Sequence, residues 1–231
     1  RSLYAKSIPW RIIRSLRNGT IVLGYHGIAR EETIRDPWIQ RSQVPLSDFR
    51  SHLEFIGKHF EVISADETIR SSAKKRRIHL SFDDGYRGFA DHAVPQLQKY
   101  GFPASVYVVT DALTNNSRLP PYIGRAAIGH CEPGLISLDS IGFKTRISDR
   151  ESRVSTYSDI STVLKTGKFA NLSSLVEELI TLIPANQWPD IHRTYATESL
   201  MGWDVLKDVS QLGFTVGAHS KSHLSLSGQQ E

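Results

Sequence analysis

Two short stretches hold residues whose types and spacing can do chemistry together. The first is Ile78-His79-Leu80-Ser81-Phe82-Asp83-Asp84-Gly85, an apolar run that ends on two adjacent carboxylates and a glycine. A carboxylate at the end of a buried strand is costly unless it is paired or binds a cation. Two in a row point to a cation. The second stretch, Phe214 to His223, is also a short apolar run, and it ends in His219-Ser220-Lys221-Ser222-His223. One aspartate and two histidines make a ligand set for a divalent metal with open positions, as in catalytic zinc and iron sites. Alone, Asp-Asp-Gly is most often a turn, and a His-x-x-x-His pair is most often incidental. Their joint occurrence at strand ends favours the metal.

The elements that must position these residues read as alternating strands and helices. Thr20 to Tyr25 is an unbroken apolar run after Asn18-Gly19 and suits a buried parallel strand, with His26 at its end. His26 is as well explained by a hydrogen-bonded histidine under a loop as by a site role, and it is not assigned as a ligand. Ser47-Asp48-Phe49 opens a helix with Phe49, Leu53, Ile56 and Phe60 on one face. Glu61 to Ser64 is a short strand and Asp66 to Ser72 a brief helix, followed by the Ile78 strand. Pro95 fits a first helical turn and Gly101 a helix stop, and Ala104 to Val109 is the next buried strand. Trp203 to Leu212 is a short amphipathic helix stopped by Gly213, after which the Phe214 strand begins. This order predicts a parallel α/β architecture.

The flanks extend the pattern. Ser81-Phe82-Asp83-Asp84-Gly85 resembles the first motif of the polysaccharide deacetylases, carbohydrate esterase family 4, and His219-Ser220-Lys221-Ser222-His223 resembles the second. Tyr100-Gly101-Phe102-Pro103-Ala104 resembles the family's segment after the first motif. Met201-Gly202-Trp203-Asp204 resembles its lead-in to the second, and Gly24-Tyr25-His26-Gly27-Ile28 the first strand of one branch. The resemblance runs from about Thr20 to Leu226 and is poor in the middle.

That resemblance implies an α/β fold, an incomplete or distorted (β/α) TIM-like barrel. A helical insertion occupies residues 111–200, and residues 1–19 form an N-terminal extension. It implies that Asp84, His219 and His223 hold a divalent metal, most often zinc, and that Asp83 is the catalytic general base. A carboxylate bound to metal is a poor base, so the second aspartate must stay free to take a proton. The implied reaction is removal of N-acetyl groups from an N-acetylated glycan, with the oxyanion held by the metal and a backbone N–H just after Gly85. Family habit places such chemistry at the bacterial envelope or on exopolysaccharide.

In the family a later Arg-x-Pro-Tyr-like motif orders the base, and a late histidine serves as general acid. Only Leu224 to Glu231 follow His223, and neither motif occurs at a matching position. Arg118-Leu119-Pro120-Pro121-Tyr122 has a superficial likeness to the first of these but stands before the second motif. The sequence therefore reads as the N-terminal part of the barrel, cut before closure. Two other functions fit the same residues: a glycan-binding relative that keeps the metal ligands without turnover, and a hydrolase of small amides or cyclic ureides.

Within residues 111–200, Asn115-Asn116-Ser117 and Pro120-Pro121 read as loop. Glu151 to Lys165 is a helix with a Val154, Tyr157, Ile160 and Leu164 stripe, stopped by Gly167. Leu172 to Ile183 is a second helix, with Ser174 and Glu177 as a capping box. The insertion is expected at the catalytic mouth, where loops carry specificity.

Composition narrows the alternatives. The 231 residues suit one large domain or a domain and a half, and 39% hydrophobic with 23% charged residues is ordinary for a globular protein. No apolar run approaches a membrane span. The net charge of +4 comes largely from Lys74-Lys75-Arg76-Arg77, read as a solvated turn, and no aromatic platform or recognition helix points to nucleic acid. Cys131 is the single cysteine, so no intrachain disulfide exists; it is read as a buried or half-buried thiol without catalytic role. Residues 1–17 are basic with scattered apolar positions, lack the compact core of a secretory signal, and suit an amphipathic helix after Pro9.

Overall fold

A computed structural model of the chain describes residues 20–69, 76–166 and 169–223. The helix expected after Pro9, the Lys74-Lys75 part of the basic turn and the Gly167 stop lie outside those residues. In chain order the first elements are β1 (Thr20–Tyr25), β2 (Gly27–Ala29), β3 (Gln43–Pro45), α1 (Leu46–His59), β4 (Glu61–Val62), α2 (Ala65–Thr68) and β5 (Arg77–Phe82). A π-helical turn, Phe89–Ala93, runs into α3 (Val94–Tyr100), followed by β6 (Ala104–Val108) and α4 (Thr110–Thr114). Then come α5 (Pro120–His130), β7 (Gly134–Leu138), β8 (Phe143–Ile147), α6 (Arg150–Thr166), α7 (Phe169–Thr181) and α8 (Trp188–Thr194). The described residues close with α9 (Trp203–Gln211) and β9 (Thr215–Ala218).

The main sheet is parallel throughout, in the order β1-β5-β6-β9, with β4 also paired to β5. The expected parallel α/β architecture is therefore present. Among the described residues the sheet is open, with β1 and β9 at its two ends. This corrects the reading of β1 as a buried strand: Val22 is 61% exposed, because a strand paired on one side needs to bury only part of its surface. β5 is the central strand, and Ile78 through Phe82 are all buried. Helix α1 covers it with Phe49, Leu53 and Ile56, all buried, each worth about 1.5–3 kcal/mol on transfer from water. Tyr25 stacks on Phe82 at 5.3 Å between ring centroids, and Phe49 meets Tyr25 edge-on at 5.3 Å. This aromatic cluster fixes the carboxyl ends of β1 and β5.

The Pro95 and Gly101 signals are realised: Pro95 sits in the first turn of α3, and Gly101 ends it in the left-handed conformation at φ 66°. Ser64 and Glu67 form a capping box on α2 that the sequence reading did not single out. Gly88 has no room for a side chain, because a Cβ there would meet the Ile28 carbonyl oxygen at 2.0 Å. It lets the π-helical turn approach β2.

Residues 111–200 differ from the expectation in three ways. Pro120-Pro121 starts α5 instead of a loop, since proline suits a first helical turn, where its missing N–H costs nothing. β7 and β8 form an antiparallel hairpin, so the segment is not wholly helical. Helix α7 starts at Phe169, which leaves Ser174 and Glu177 inside it and not at its cap. The hairpin turn is instead anchored by Ser140, whose N–H and hydroxyl donate to the Glu178 carboxylate at 2.9 and 2.7 Å. Tyr157, Ile160 and Leu164 are buried as expected, and with Tyr122, Ile128, Leu138, Leu175 and Leu179 they make a hydrophobic cluster separate from that of the sheet. Cys131 is buried at the end of α5. No helix among the described residues is long and apolar enough to cross a membrane.

A buried polar seam ties the insertion to β3 and the segment before it. Glu198 accepts from Gln43 Nε2 at 2.9 Å and faces Arg125 at 3.5 Å, while Arg125 Nε donates to the Ile39 carbonyl at 2.7 Å. Burial pushes the Glu198 carboxyl up, opposed chiefly by the Arg125 charge. Removing the carboxylate with Glu198→Ala strands a guanidinium in the interior. Its expected cost is about 3–5 kcal/mol, readable as a lower denaturant midpoint at unchanged slope; a shift under a tenth of that would show the seam to be solvated.

Candidate metal centre

Three strands of the parallel sheet, β1 and β5 adjacent and β9 separated from β5 by β6, end on the same side, and each delivers a charged or titratable residue just past its last residue. β5 leads into Asp83 and Asp84, β9 into His219, and β1 into His26. The register pairs Tyr25 with Phe82, so His26 and Asp83 follow from neighbouring positions, and Asp83 N–H donates to the Tyr25 carbonyl at 2.9 Å. On the other side, His219 N–H donates to the Val108 carbonyl at 2.8 Å.

Local backbone shape turns the side chains inward. Asp84 and Gly85 are both left-handed, at φ 74° and 81°. Aspartate tolerates that conformation better than most residues. A Cβ at Gly85 would also lie 2.9 Å from Val108 Cγ1. The turn buries Asp84 at the foot of the site, with 3% exposure. The second histidine stretch bends sharply too, with Ser220 at φ 63° and His223 at φ 62°. Ser220 Oγ accepts from His223 N–H at 3.0 Å, which closes the loop. The Ser220 and Lys221 carbonyls accept from the Thr110 and Asp111 N–H groups at 3.4 and 3.0 Å, which fastens the loop to the start of α4.

Three imidazoles converge on one carboxylate. His223 Nε2 lies 3.0 Å and His219 Nε2 3.5 Å from Asp84 Oδ1, while His26 Nε2 lies 3.9 Å from Asp84 Oδ2. Asp84, His219 and His223 each offer one ligand atom, and these lie within 4.8 Å of one another. Although His223 is close enough, Asp84 Oδ1 is a buried oxygen with no partner of hydrogen-bond geometry. Such a grouping of one carboxylate and two imidazoles could hold a cation. Burial pushes the Asp84 carboxyl up, but the His223 ring beside it, with the His26 and His219 charges, outweighs burial and holds it below the usual carboxylate range. Carboxylate and imidazole donors fit a divalent ion of the zinc class.

Asp83 stands outside this cluster. It is half-buried, and Ser81 Oγ donates to its Oδ1 at 3.4 Å. The three residues expected as ligands are thus together, and Asp83 is adjacent to them in sequence but not one of the converging groups. His26 was not assigned from the sequence. Its signal was its place immediately after a strand that pairs with the Asp-bearing strand, a relation visible only once the pairing is known.

Residues 70–138 match the family model for polysaccharide deacetylase, a span that holds Asp83 and Asp84 but neither His219 nor His223. Over that span the chain is similar to the polysaccharide deacetylases. It is 25% identical over 108 residues to poly-beta-1,6-N-acetyl-D-glucosamine N-deacetylase of Staphylococcus epidermidis, and the match covers 41% of this chain and 37% of that relative. Among solved structures it resembles IcaB from Ammonifex degensii at 17% identity and TM-score 0.38, over 79% of this chain and 82% of that one. It also resembles the deacetylase domain of BpsB from Bordetella bronchiseptica at 16% identity and TM-score 0.37, over 87% and 54% of the two chains. At those scores the superposition is loose, and the parallel α/β fold of this chain rests on its own strand pairing.

Proposed function

We propose that this chain is a zinc-dependent N-deacetylase that hydrolyses the acetamide of an N-acetylated glycan. The observation that carries the reading is the convergence of Asp84, His219 and His223 on one point, with Asp84 Oδ1 left without a hydrogen bond. These three residues would hold the ion. When bound, it supplies Lewis acidity for water and for the acetamide carbonyl.

The remaining chemistry belongs to the chain's own groups. Asp83, free of the ligand cluster, takes the proton of the attacking water. The developing oxyanion needs donors that are fixed in advance. Gly85 C=O accepts from Met201 N–H and Arg87 N–H donates to Ser199 C=O, at 2.9 and 2.8 Å, a pairing that holds the intervening Tyr86 in place and does not use its N–H. That N–H is assigned to the oxyanion. The departing amine needs a proton, and His26 supplies it. Its ring is at the site, 3.9 Å from Asp84, with its side chain 47% exposed towards solvent. On this reading the general acid comes from the end of β1.

The experiment is acetate release from N-acetylglucosamine oligomers by the metal-loaded chain. His26→Gln should lower kcat by about 10²-fold, the low end for general acid catalysis, without loss of metal. An ester with a good leaving group, which departs without a proton, should recover most of that loss. Equal losses on both substrates would remove His26 from the role of acid.

A further inference from the structure

Trp203 is 48% exposed, yet its indole is tethered, with Nε1–H donating to Thr114 Oγ1 at 3.3 Å. Its place in the topology gives that exposure a meaning. In a parallel α/β unit a connecting helix starts on the side where the preceding strand ends, and Trp203 is the first residue of α9, the helix that leads into β9. Two hydrogen bonds tie this point to the site: Met201 N–H donates to the Gly85 carbonyl, next to Asp84, and Arg87 N–H donates to Ser199. Thr114, which receives the indole N–H, ends the same short helix α4 whose first amides grip the Ser220-Lys221 turn. The indole therefore bridges two segments, one hydrogen-bonded to the loop of Asp84 and the other to the loop of His219 and His223.

We propose that Trp203 is a stacking platform for the sugar ring next to the one being deacetylated. This rests on the glycan reading above. The C–H groups on one face of a pyranose suit the electron-rich face of an indole, and an indole whose N–H is already engaged offers that face without first being ordered. A small amide would not reach such a platform, so Trp203 would select for chain length.

The test is steady-state acetate release from a tetrasaccharide and from single N-acetylglucosamine, for wild type, Trp203→Ala and Trp203→Phe, with melting temperatures measured on each. A platform predicts that Trp203→Ala raises the tetrasaccharide KM by about tenfold with little change in kcat. The monosaccharide KM should move far less, and Trp203→Phe should recover most of the loss. If Trp203→Ala fails to fold, the folded Trp203→Phe protein gives a second reading. The emission change that wild type shows on adding tetrasaccharide should then be lost. An unchanged tetrasaccharide KM, or equal losses on both substrates, would mean that the indole is only a latch between α9 and α4. If wild type neither binds nor deacetylates either sugar, the glycan reading fails and the platform with it.

Discussion

Asp83→Asn is expected to lower turnover by about 10²–10⁴-fold, the contribution typical of a positioned general base, while the protein keeps its metal and its fold. The substitution changes one oxygen to an amide nitrogen and little else. The backbone N–H of residue 83 still donates to Tyr25, and the side chain's recorded contact is a single long hydrogen bond from Ser81. Asp84, His219 and His223 keep their positions, because the left-handed turn that aims Asp84 depends on residues 84 and 85. The check is kcat beside metal content on the same preparation. If metal is lost while the fold stays intact, the roles of the two aspartates are reversed.

Asp84→Asn should have the opposite signature, with metal lost and activity at background. Asp84 is the only anionic member of the three-residue cluster, and without it two histidines face a cation alone. Asparagine also tolerates a positive φ, so the turn at φ 74° does not have to rearrange. Circular dichroism should therefore be unchanged while stoichiometric metal disappears. Retention of metal at wild-type affinity would show that the carboxylate is not a ligand, and the unpartnered Oδ1 would need another explanation.

Some of this was legible in the sequence because the relevant physics is local. The apolar runs of β5 and β6, the Phe49, Leu53 and Ile56 face of α1, and the Pro95 and Gly101 signals of α3 are set by residues a few positions apart. The grouping of Asp84, His219 and His223 was legible for a different reason: they resemble family motifs at strand ends, and a parallel sheet gathers strand ends on one side. What was missed depends on neighbours. β1 has the composition of a buried strand, but its exposure is decided by which strands flank it. His26 gains its meaning from pairing with β5, fifty-odd residues downstream. The β7–β8 hairpin carried a readable alternation in Phe143-Lys144-Thr145-Arg146-Ile147, where Lys144 and Arg146 are exposed and Ile147 is buried. It was passed over because a two-stranded ribbon gains its stability from what it packs on, here the cluster that includes Leu175 and Leu179.

The most direct test of the account is the metal content of the purified wild-type chain, before and after chelation and again after zinc is returned. The account predicts a single bound ion per chain, removed by the chelator and restored by zinc, with acetate release lost and regained in step. A folded chain that takes up no ion at any stage would contradict it, because Asp84, His219 and His223 would then converge on nothing.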